Sequence, residues 1–133
     1  MATLGQLVNR KIQGIKQDTT IREAAERMAK QRIGSLLVER DGQYIGIVTE
    51  TDIIRKAAAQ GIDLMKEKVS SIASSPVISL DIYRTPQDAH DLMGETGVRH
   101  LAITDKGKIV GIVSVRDLLV FFKKQSEPRM GID

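Results

Sequence analysis

Two stretches decide the fold of this 133-residue chain: GIVTETD at residues 46–52 and GIVSVRD at residues 111–117. Each stretch continues an apolar run that contains β-branched residues, a pattern that predicts a buried strand. A hydroxyl residue follows in each, then an aspartate three positions later, then apolar residues at helical spacing. The sequence therefore predicts two corners at which a strand turns directly into a helix. At such a corner the first helical N–H groups are unpaired and can hold an anion.

The two corners belong to an internal repeat with an offset of 65 residues. The same shift places Thr20 on Thr85 and Met28 on Met93, and no gap is needed from Thr20 to Ile54. One copy of about 55 residues would be marginally stable alone, whereas a chain of about 130 residues buries roughly two-thirds of its unfolded surface. We therefore expect one compact module with pseudo-two-fold symmetry and with clefts where the two copies meet.

The composition is that of an ordinary soluble domain, with 41% hydrophobic and 28% charged residues. The chain has no cysteine, which excludes disulfides and thiolate metal sites and fits a cytoplasmic protein. No apolar run is long enough to predict a signal peptide or a membrane span. The net charge of +3 is scattered, with no basic tract beyond Lys123-Lys124, so a solvated surface is favoured over a nucleic-acid interface.

The predicted order of elements is β-α-β-β-α, twice. In the first copy we expect a strand at residues 12–15, a capped helix at 19–31 and a second strand at 36–39. A turn at Asp41-Gly42 follows, then the corner strand at 44–48 and a helix that ends near residue 61. Residues 62–76 are predicted to be a linker with a helical piece at 64–72. The second copy repeats this order from Val77, with a helix over 86–95, a strand over 101–104 and a turn at Lys106-Gly107.

With these features the chain resembles a tandem pair of CBS domains, sometimes called a Bateman module, over essentially residues 4–124. The resemblance rests on the duplicated corners, on the glycine turn before each, and on Gly97-Val98-Arg99-His100-Leu101 leading into a strand. It implies an α+β (mixed α/β) fold of two β-α-β-β-α repeats packed with pseudo-two-fold symmetry. The corresponding division is 1–61 for the first repeat, 62–76 for the linker, 77–124 for the second repeat and 125–133 for a flexible tail.

The resemblance also implies a function. Proteins of this family usually act as non-catalytic regulatory modules that bind adenosine-containing nucleotides such as AMP, ADP or ATP in clefts between the repeats. The ligand changes the relative position of the repeats and so the affinity for an effector protein, here unknown. No other cofactor is implied. A homodimer is expected through the second helices, whose apolar residues are Ile53, Ile54, Leu118, Leu119, Phe121 and Phe122.

Two unequal ligand sites follow from the resemblance, in which the corner acid accepts hydrogen bonds from a ribose diol and the hydroxyl faces phosphate. The first site is expected to prefer a phosphorylated ligand and combines Thr49, Asp52, Val77, Ser79, Arg99, His100 and Arg116. The second has fewer cations and is expected to take a less anionic adenosyl compound or to stay empty. It combines Ser114, Asp117, Ile12, Gly14, Ile33, Gly34 and Ser35.

Other interpretations remain open at this point. Thr49-x-x-Asp52 and Ser114-x-x-Asp117 are also capping-box patterns, which would only stabilise helices. The same fold could sense S-adenosylmethionine or a dinucleotide. It could also be a nucleic-acid-binding or pure protein-interaction module with unused clefts, an alternative that the calculated pI of 9.3 leaves open. A catalytic or metal site is not predicted, because the two histidines lack a relay and metal-ligand spacing, and no phosphate-binding glycine motif is present.

Overall fold

A computed structural model of the chain describes residues 1–126. The elements in chain order are β1 (Gly14–Lys16), α1 (Ile21–Gln31), β2 (Ser35–Arg40), β3 (Gln43–Thr49), α2 (Glu50–Asp52, continued by a π-helix over Ile53–Ala58), β4 (Ser79–Asp81), α3 (Pro86–Thr96), β5 (His100–Asp105), β6 (Lys108–Ser114) and α4 (Val115–Ser126). This is the β-α-β-β-α order, twice, so the predicted α+β fold class is confirmed. The elements divide into two compact units: a first unit of residues 12–77, and a second unit that comprises residues 1–11 and, among the described residues, 78–126.

The first unit is a three-stranded mixed sheet covered by helices. The strand order is β1-β2-β3, with β1 parallel to β2 and β2 antiparallel to β3. Helix α1 begins after Thr20, whose hydroxyl oxygen accepts a hydrogen bond from the Glu23 N–H at 3.2 Å, the expected cap. The core joins the inner face of α1 to strands β2 and β3 and includes Ile21, Met28, Leu36, Val38 and Val48.

The second unit repeats this arrangement with the order β4-β5-β6, again parallel and then antiparallel. Helix α3 has Pro86 at its first position and a complete capping box between Thr85 and Asp88. Its core includes Ala89, Met93, Leu101, Ile103 and Val113. Met28 and Met93 are therefore core residues, as their helical spacing predicted.

Both predicted hairpin turns are confirmed. Asp41 and Gly42 have φ of 51° and 79°, and Lys106 and Gly107 have φ of 52° and 79°. Two consecutive residues with positive φ form the turn whose twist matches the flanking antiparallel strands. The turns fix the register of the two corner strands.

The segment that leads into each repeat packs on the sheet of the other repeat's unit. Leu4 is fully buried in the second unit's core, and Val69, 65 residues later, is fully buried in the first. Each lies in a short 3-10 turn, Leu4–Gln6 or Val69–Ser71. Residue 9 then pairs with Ile112 on β6, and residue 74 pairs with Ile47 on β3. This arrangement differs from the division expected from the sequence, which assigns residues 1–11 to the first repeat and residues 62–76 to a linker.

Several predicted boundaries were wrong in detail. The first strand of each repeat begins two residues later than predicted, at Gly14 and Ser79, because pairing with the neighbouring strand decides where a ladder starts. The helical piece predicted over 64–72 is a single turn at Val69–Ser71. Residues 125 and 126, assigned to the tail, complete α4, and the remainder of the predicted tail lies outside the described residues.

Candidate functional site

The two corners have the geometry of capping boxes. At the first corner, the Thr49 N–H donates to Asp52 Oδ2 at 2.9 Å, and the Asp52 N–H donates to Thr49 Oγ1 at 3.2 Å. At the second corner, the Ser114 N–H donates to Asp117 Oδ2 at 2.8 Å, and the Asp117 N–H donates to Ser114 Oγ at 3.2 Å. The capping interpretation is therefore confirmed at both places. It does not exclude a ligand, because each carboxylate has a second oxygen and about four acceptor positions in total.

The first corner carries a buried charge. Asp52 is 7% exposed and is the single buried charged or polar residue among residues 1–126. Its Oδ2 also accepts the Thr49 hydroxyl at 3.1 Å, and its Oδ1 is 3.0 Å from the Lys56 Nζ. A buried carboxylate needs such partners, because an uncompensated charge away from water is strongly unfavourable. Asp117 is only half-buried.

Within the first unit, the start of β2 lies beside the first corner. Ser35 is the register partner of Thr49, and the Glu50 N–H donates to the Gly34 carbonyl oxygen at 3.0 Å. Gly14 lies on β1, opposite Leu37. The remaining residues that the sequence assigned to the second site from this unit, Ile12 and Ile33, are half-buried like Gly14, Gly34 and Ser35.

Within the second unit, the start of β5 lies beside the second corner in the same way. His100 is the register partner of Ser114, and the Val115 N–H donates to the Arg99 carbonyl oxygen at 2.9 Å. The side chains of Arg99 and Arg116 are exposed, and His100 is half-buried. Ser79 lies on β4 opposite Ala102 and is exposed, while the half-buried Val77 is the last residue of the first unit.

Each unit thus brings together residues that the sequence assigned to different sites. Gly34 and Ser35 adjoin the Thr49 corner, and Arg99 and His100 adjoin the Ser114 corner. Both predicted sites combine residues of the two units, and that combination stays a prediction.

Sequence reasoning missed Lys56. Its Nζ contacts Asp52, and it also donates to the Ile72 carbonyl oxygen at 3.2 Å and lies 3.5 Å from Ser74 Oγ. The signal was available, because an acid followed by a lysine four positions later on a helix predicts an ion pair. The second repeat has Phe121 at the equivalent position.

The residues predicted to form a dimer interface divide between core and surface. Leu118 is buried, and Ile53 and Phe122 pack against the cores of their own units. Ile54 and Leu119, which are equivalent in the repeat, are 63% and 66% exposed. Val120, not singled out from the sequence, is also exposed. Each unit therefore presents one large apolar side chain at the same place on its second helix.

Two kinds of feature are absent from the described part of the chain. Residues 1–126 contain no group of three or more histidine or acidic side chains placed to hold a metal ion. Within the same range no helix is long and apolar enough to cross a membrane.

Comparison with known proteins identifies the family. The family model of the CBS domain matches residues 4–59 and 69–124. A 17.7 kDa protein of Acidianus ambivalens is 38% identical over 121 residues, covering 89% of this chain and 72% of its own length. The CBS domain-containing protein YhcV of Bacillus subtilis is 31% identical over 120 residues, covering 90% of this chain and 85% of its own.

Solved structures agree with the sequence relatives. A putative signal-transduction protein with CBS domains from Burkholderia ambifaria superposes with a TM-score of 0.88 at 28% identity, covering 97% of both chains. A conserved protein from Pyrococcus horikoshii gives a TM-score of 0.86 at 30% identity, covering 92% of each. The matched ranges start at Leu4 and Val69, the two buried residues that open the repeats. This chain belongs to the CBS-domain family and carries two CBS domains in tandem.

Proposed function

We propose that this protein is a regulatory module that binds adenosine-containing nucleotides, AMP, ADP or ATP, at its strand-to-helix corners. The observation that carries the proposal is the pair of equivalent corners in a CBS tandem, each with a hydroxyl and a carboxylate held together by a capping box. The capping hydrogen bonds fix both side chains in place, so a ligand would meet a preorganised group. Preorganisation reduces the entropy lost on binding.

The chemistry of the corner suits a nucleotide. An ionised aspartate offers only acceptors, which match the two neighbouring O–H donors of a ribose diol. Thr49 and Ser114 carry a hydroxyl next to the first N–H groups of a helical segment, a favourable place for phosphate oxygens. Arg99 and Arg116 have exposed guanidinium groups, which bind phosphate in a bidentate manner.

The regulatory part of the proposal requires that the ligand bind one conformation better than another, since only differential affinity shifts an equilibrium. The output would be altered affinity for an effector protein, and no catalytic step is needed.

We also propose a homodimer through the second helices, supported by the exposed Ile54 and Leu119. Leu119→Lys should then convert the dimer to a monomer in analytical ultracentrifugation, and an unchanged sedimentation coefficient would refute this interface.

Isothermal titration calorimetry with adenosine, AMP, ADP and ATP tests the proposal, with GMP as the matched control for the base. A ligand present at one hundred times its Kd should also raise the free energy of unfolding by about 2.7 kcal/mol in a thermal-shift assay. Absence of binding by every adenosine compound would reject the proposal. If S-adenosylmethionine or a dinucleotide binds more tightly than AMP, that compound replaces the adenine nucleotides as the proposed ligand. Binding to DNA that weakens steeply with salt, without nucleotide binding, would favour the nucleic-acid alternative.

A further inference from the structure

Lys56 connects the first corner to a segment of chain far along the sequence. Its ammonium group is 3.0 Å from Asp52 Oδ1 and 3.2 Å from the Ile72 carbonyl oxygen, with a longer contact of 3.5 Å to Ser74 Oγ. These contacts all lie within the first unit. We call this arrangement the Lys56 clasp.

The clasp occupies all three donors of the Lys56 ammonium and most of the acceptor positions of the Asp52 carboxylate. A lysine ammonium has three donors, and each donor of Lys56 has a protein acceptor. The Asp52 carboxylate has about four acceptor positions. Three donors already approach it: the Thr49 N–H, the Thr49 hydroxyl and the Lys56 ammonium. A ribose diol brings two O–H donors, and only one acceptor position remains.

The segment that Lys56 contacts is itself held on the sheet. The Ser74 N–H donates to the Ile47 carbonyl oxygen at 2.8 Å, and the Ile47 N–H donates back to Ser74 at 2.9 Å. Residues 72–74 also stand shortly before the chain passes from the first unit to the second, between residues 77 and 78. Ile72 is buried in the core of the first unit and Ala73 packs against that core, so Lys56 supplies the polar side-chain contact to the segment, and its release would remove that contact.

We propose that Lys56 is a built-in competitor for the first corner, and that a ligand which takes the Asp52 carboxylate releases Lys56 and loosens residues 72–74. This inference rests on the proposed nucleotide binding and adds the way in which binding at Asp52 is controlled and transmitted. It assigns Lys56 a positioning role, because its ammonium acts on the ligand through Asp52.

The affinity test compares Lys56→Met with wild type, using calorimetry with adenosine. Met keeps the length and the apolar stem but removes the ammonium. Because the ligand no longer displaces an ion pair, we expect adenosine to bind about three- to tenfold more tightly. Arg55→Met is the matched control, since it removes the same charge from the adjacent exposed residue and should leave the affinity unchanged.

An unchanged or weaker affinity in Lys56→Met would overturn the inference while leaving the proposed function standing, provided that Asp52→Asn weakens binding in the same assay. Failure of both wild type and Lys56→Met to bind any adenosine compound would instead reject the proposed function. If Lys56→Met does not fold, Lys56→Gln keeps a neutral donor for the Ile72 carbonyl and should show a smaller gain in affinity.

A second measurement follows the segment directly by hydrogen–deuterium exchange of peptides that cover residues 72–75. In wild type, saturating adenosine should accelerate exchange of this segment by at least about threefold, because the opening free energy of a locally held segment falls when a contact is lost. In Lys56→Met, exchange should already be fast without ligand and should not respond to it. Slower or unchanged exchange in liganded wild type would overturn the inference.

Discussion

The two corners differ more than their matching sequences suggest. Both have the same capping box, yet the first buries its aspartate and pairs it with Lys56, whereas the second leaves Asp117 half-buried with Phe121 four residues on. The helices that follow differ as well: a three-residue α-turn continued by a π-helix after Thr49, and a regular α-helix of 12 residues after Ser114. The duplicated fold thus keeps the caps and varies what surrounds them.

This difference separates structural from functional interpretations of one motif. The capping hydrogen bonds are common to both corners, as expected of a feature that the fold itself requires. The Lys56 ion pair belongs to one corner, so it reflects something specific to that corner. Unequal sites were predicted from Arg99 and Arg116. The structure adds a second difference between the corners: Asp52 is buried and paired with Lys56, whereas Asp117 is half-buried.

The largest expected effect concerns what the corners share, the close approach of a leading segment to the corner strand. Gly46→Ala would place its Cβ 2.7 Å from the Ser74 carbonyl oxygen, and Gly111→Ala would overlap the Asn9 carbonyl and come within 2.5 Å of Val8 Cγ2. We expect each to lower the free energy of unfolding by about 1–3 kcal/mol, with Gly111→Ala at or above the upper end.

Urea denaturation measures this effect, with Gly94→Ala as control. Gly94 lies in α3 with open space around it, so alanine there should stabilise by about 0.5–1 kcal/mol. A greater loss at Gly46 than at Gly111, or no loss at either, would contradict the packing of the leading segments.

The next largest expected effect is a difference in lost stability between substitutions of the two corner aspartates, Asp52 and Asp117. Asp52→Ala removes a buried carboxylate, which leaves the Thr49 N–H without its acceptor and takes away one of the three acceptors of Lys56, whereas Asp117→Ala removes a half-buried carboxylate. We expect about 2 kcal/mol of lost stability at Asp52 and about 1 kcal/mol at Asp117 in urea denaturation. Calorimetry should show in addition that Asp52→Ala weakens nucleotide binding by about 1.5–3 kcal/mol. Equal stability losses at the two positions would show that burial of Asp52 is unimportant.

A smaller effect sharpens the predicted difference in phosphate preference. Arg99→Ala should weaken the binding of AMP by about 1–2 kcal/mol and leave the binding of adenosine unchanged, because AMP carries the phosphate that a guanidinium group binds and adenosine does not. The same titrations with Arg55→Ala control for the loss of one positive charge. Equal losses for AMP and adenosine would remove Arg99 from the phosphate-binding set.

The smallest expected effect is on the pH dependence of the free energy of unfolding. It comes from an ion pair at the first helix of the second repeat that the first repeat lacks. Arg84 Nε donates to Asp88 at 2.9 Å, and this bond, with help from the Thr85 N–H, lowers the pKa of Asp88 to about 2. Since the folded-state pKa lies below the unfolded value of about 3.9, the pair stabilises above pH 4 and the stabilisation is lost as the pH falls toward 2. The first repeat has Thr19 in place of the arginine.

Acid titration of the free energy of unfolding checks this. Asp88→Asn should lose less stability than wild type between pH 5 and pH 2, and Arg84→Ala should behave in the same direction. Parallel curves for wild type and Asp88→Asn would mean that the ion pair is too solvated to matter.

Local sequence predicted much of the fold because the relevant signals act over a few residues. Asp41-Gly42 and Lys106-Gly107 meet the positive-φ demand of a tight hairpin, and Thr20 and Thr85 cap their helices. The candidate site was partly accessible for the same reason, since the hydroxyl and acid of each corner are three residues apart. Boundaries were less accessible, because the first strands begin only where the neighbouring strand offers a partner.

The sequence by itself determined the duplication, the order of elements, the two hairpins and the two capped corners, all of which depend on periodicity and on contacts between near neighbours. The tertiary structure decided which sheet receives each leading segment, why Gly46 and Gly111 must lack a side chain, and which acid becomes buried. It also brought Lys56 onto Ile72 and Ser74, 16 and 18 residues away. Such contacts join residues distant in the chain, and their energies depend on burial and geometry, which no local pattern encodes.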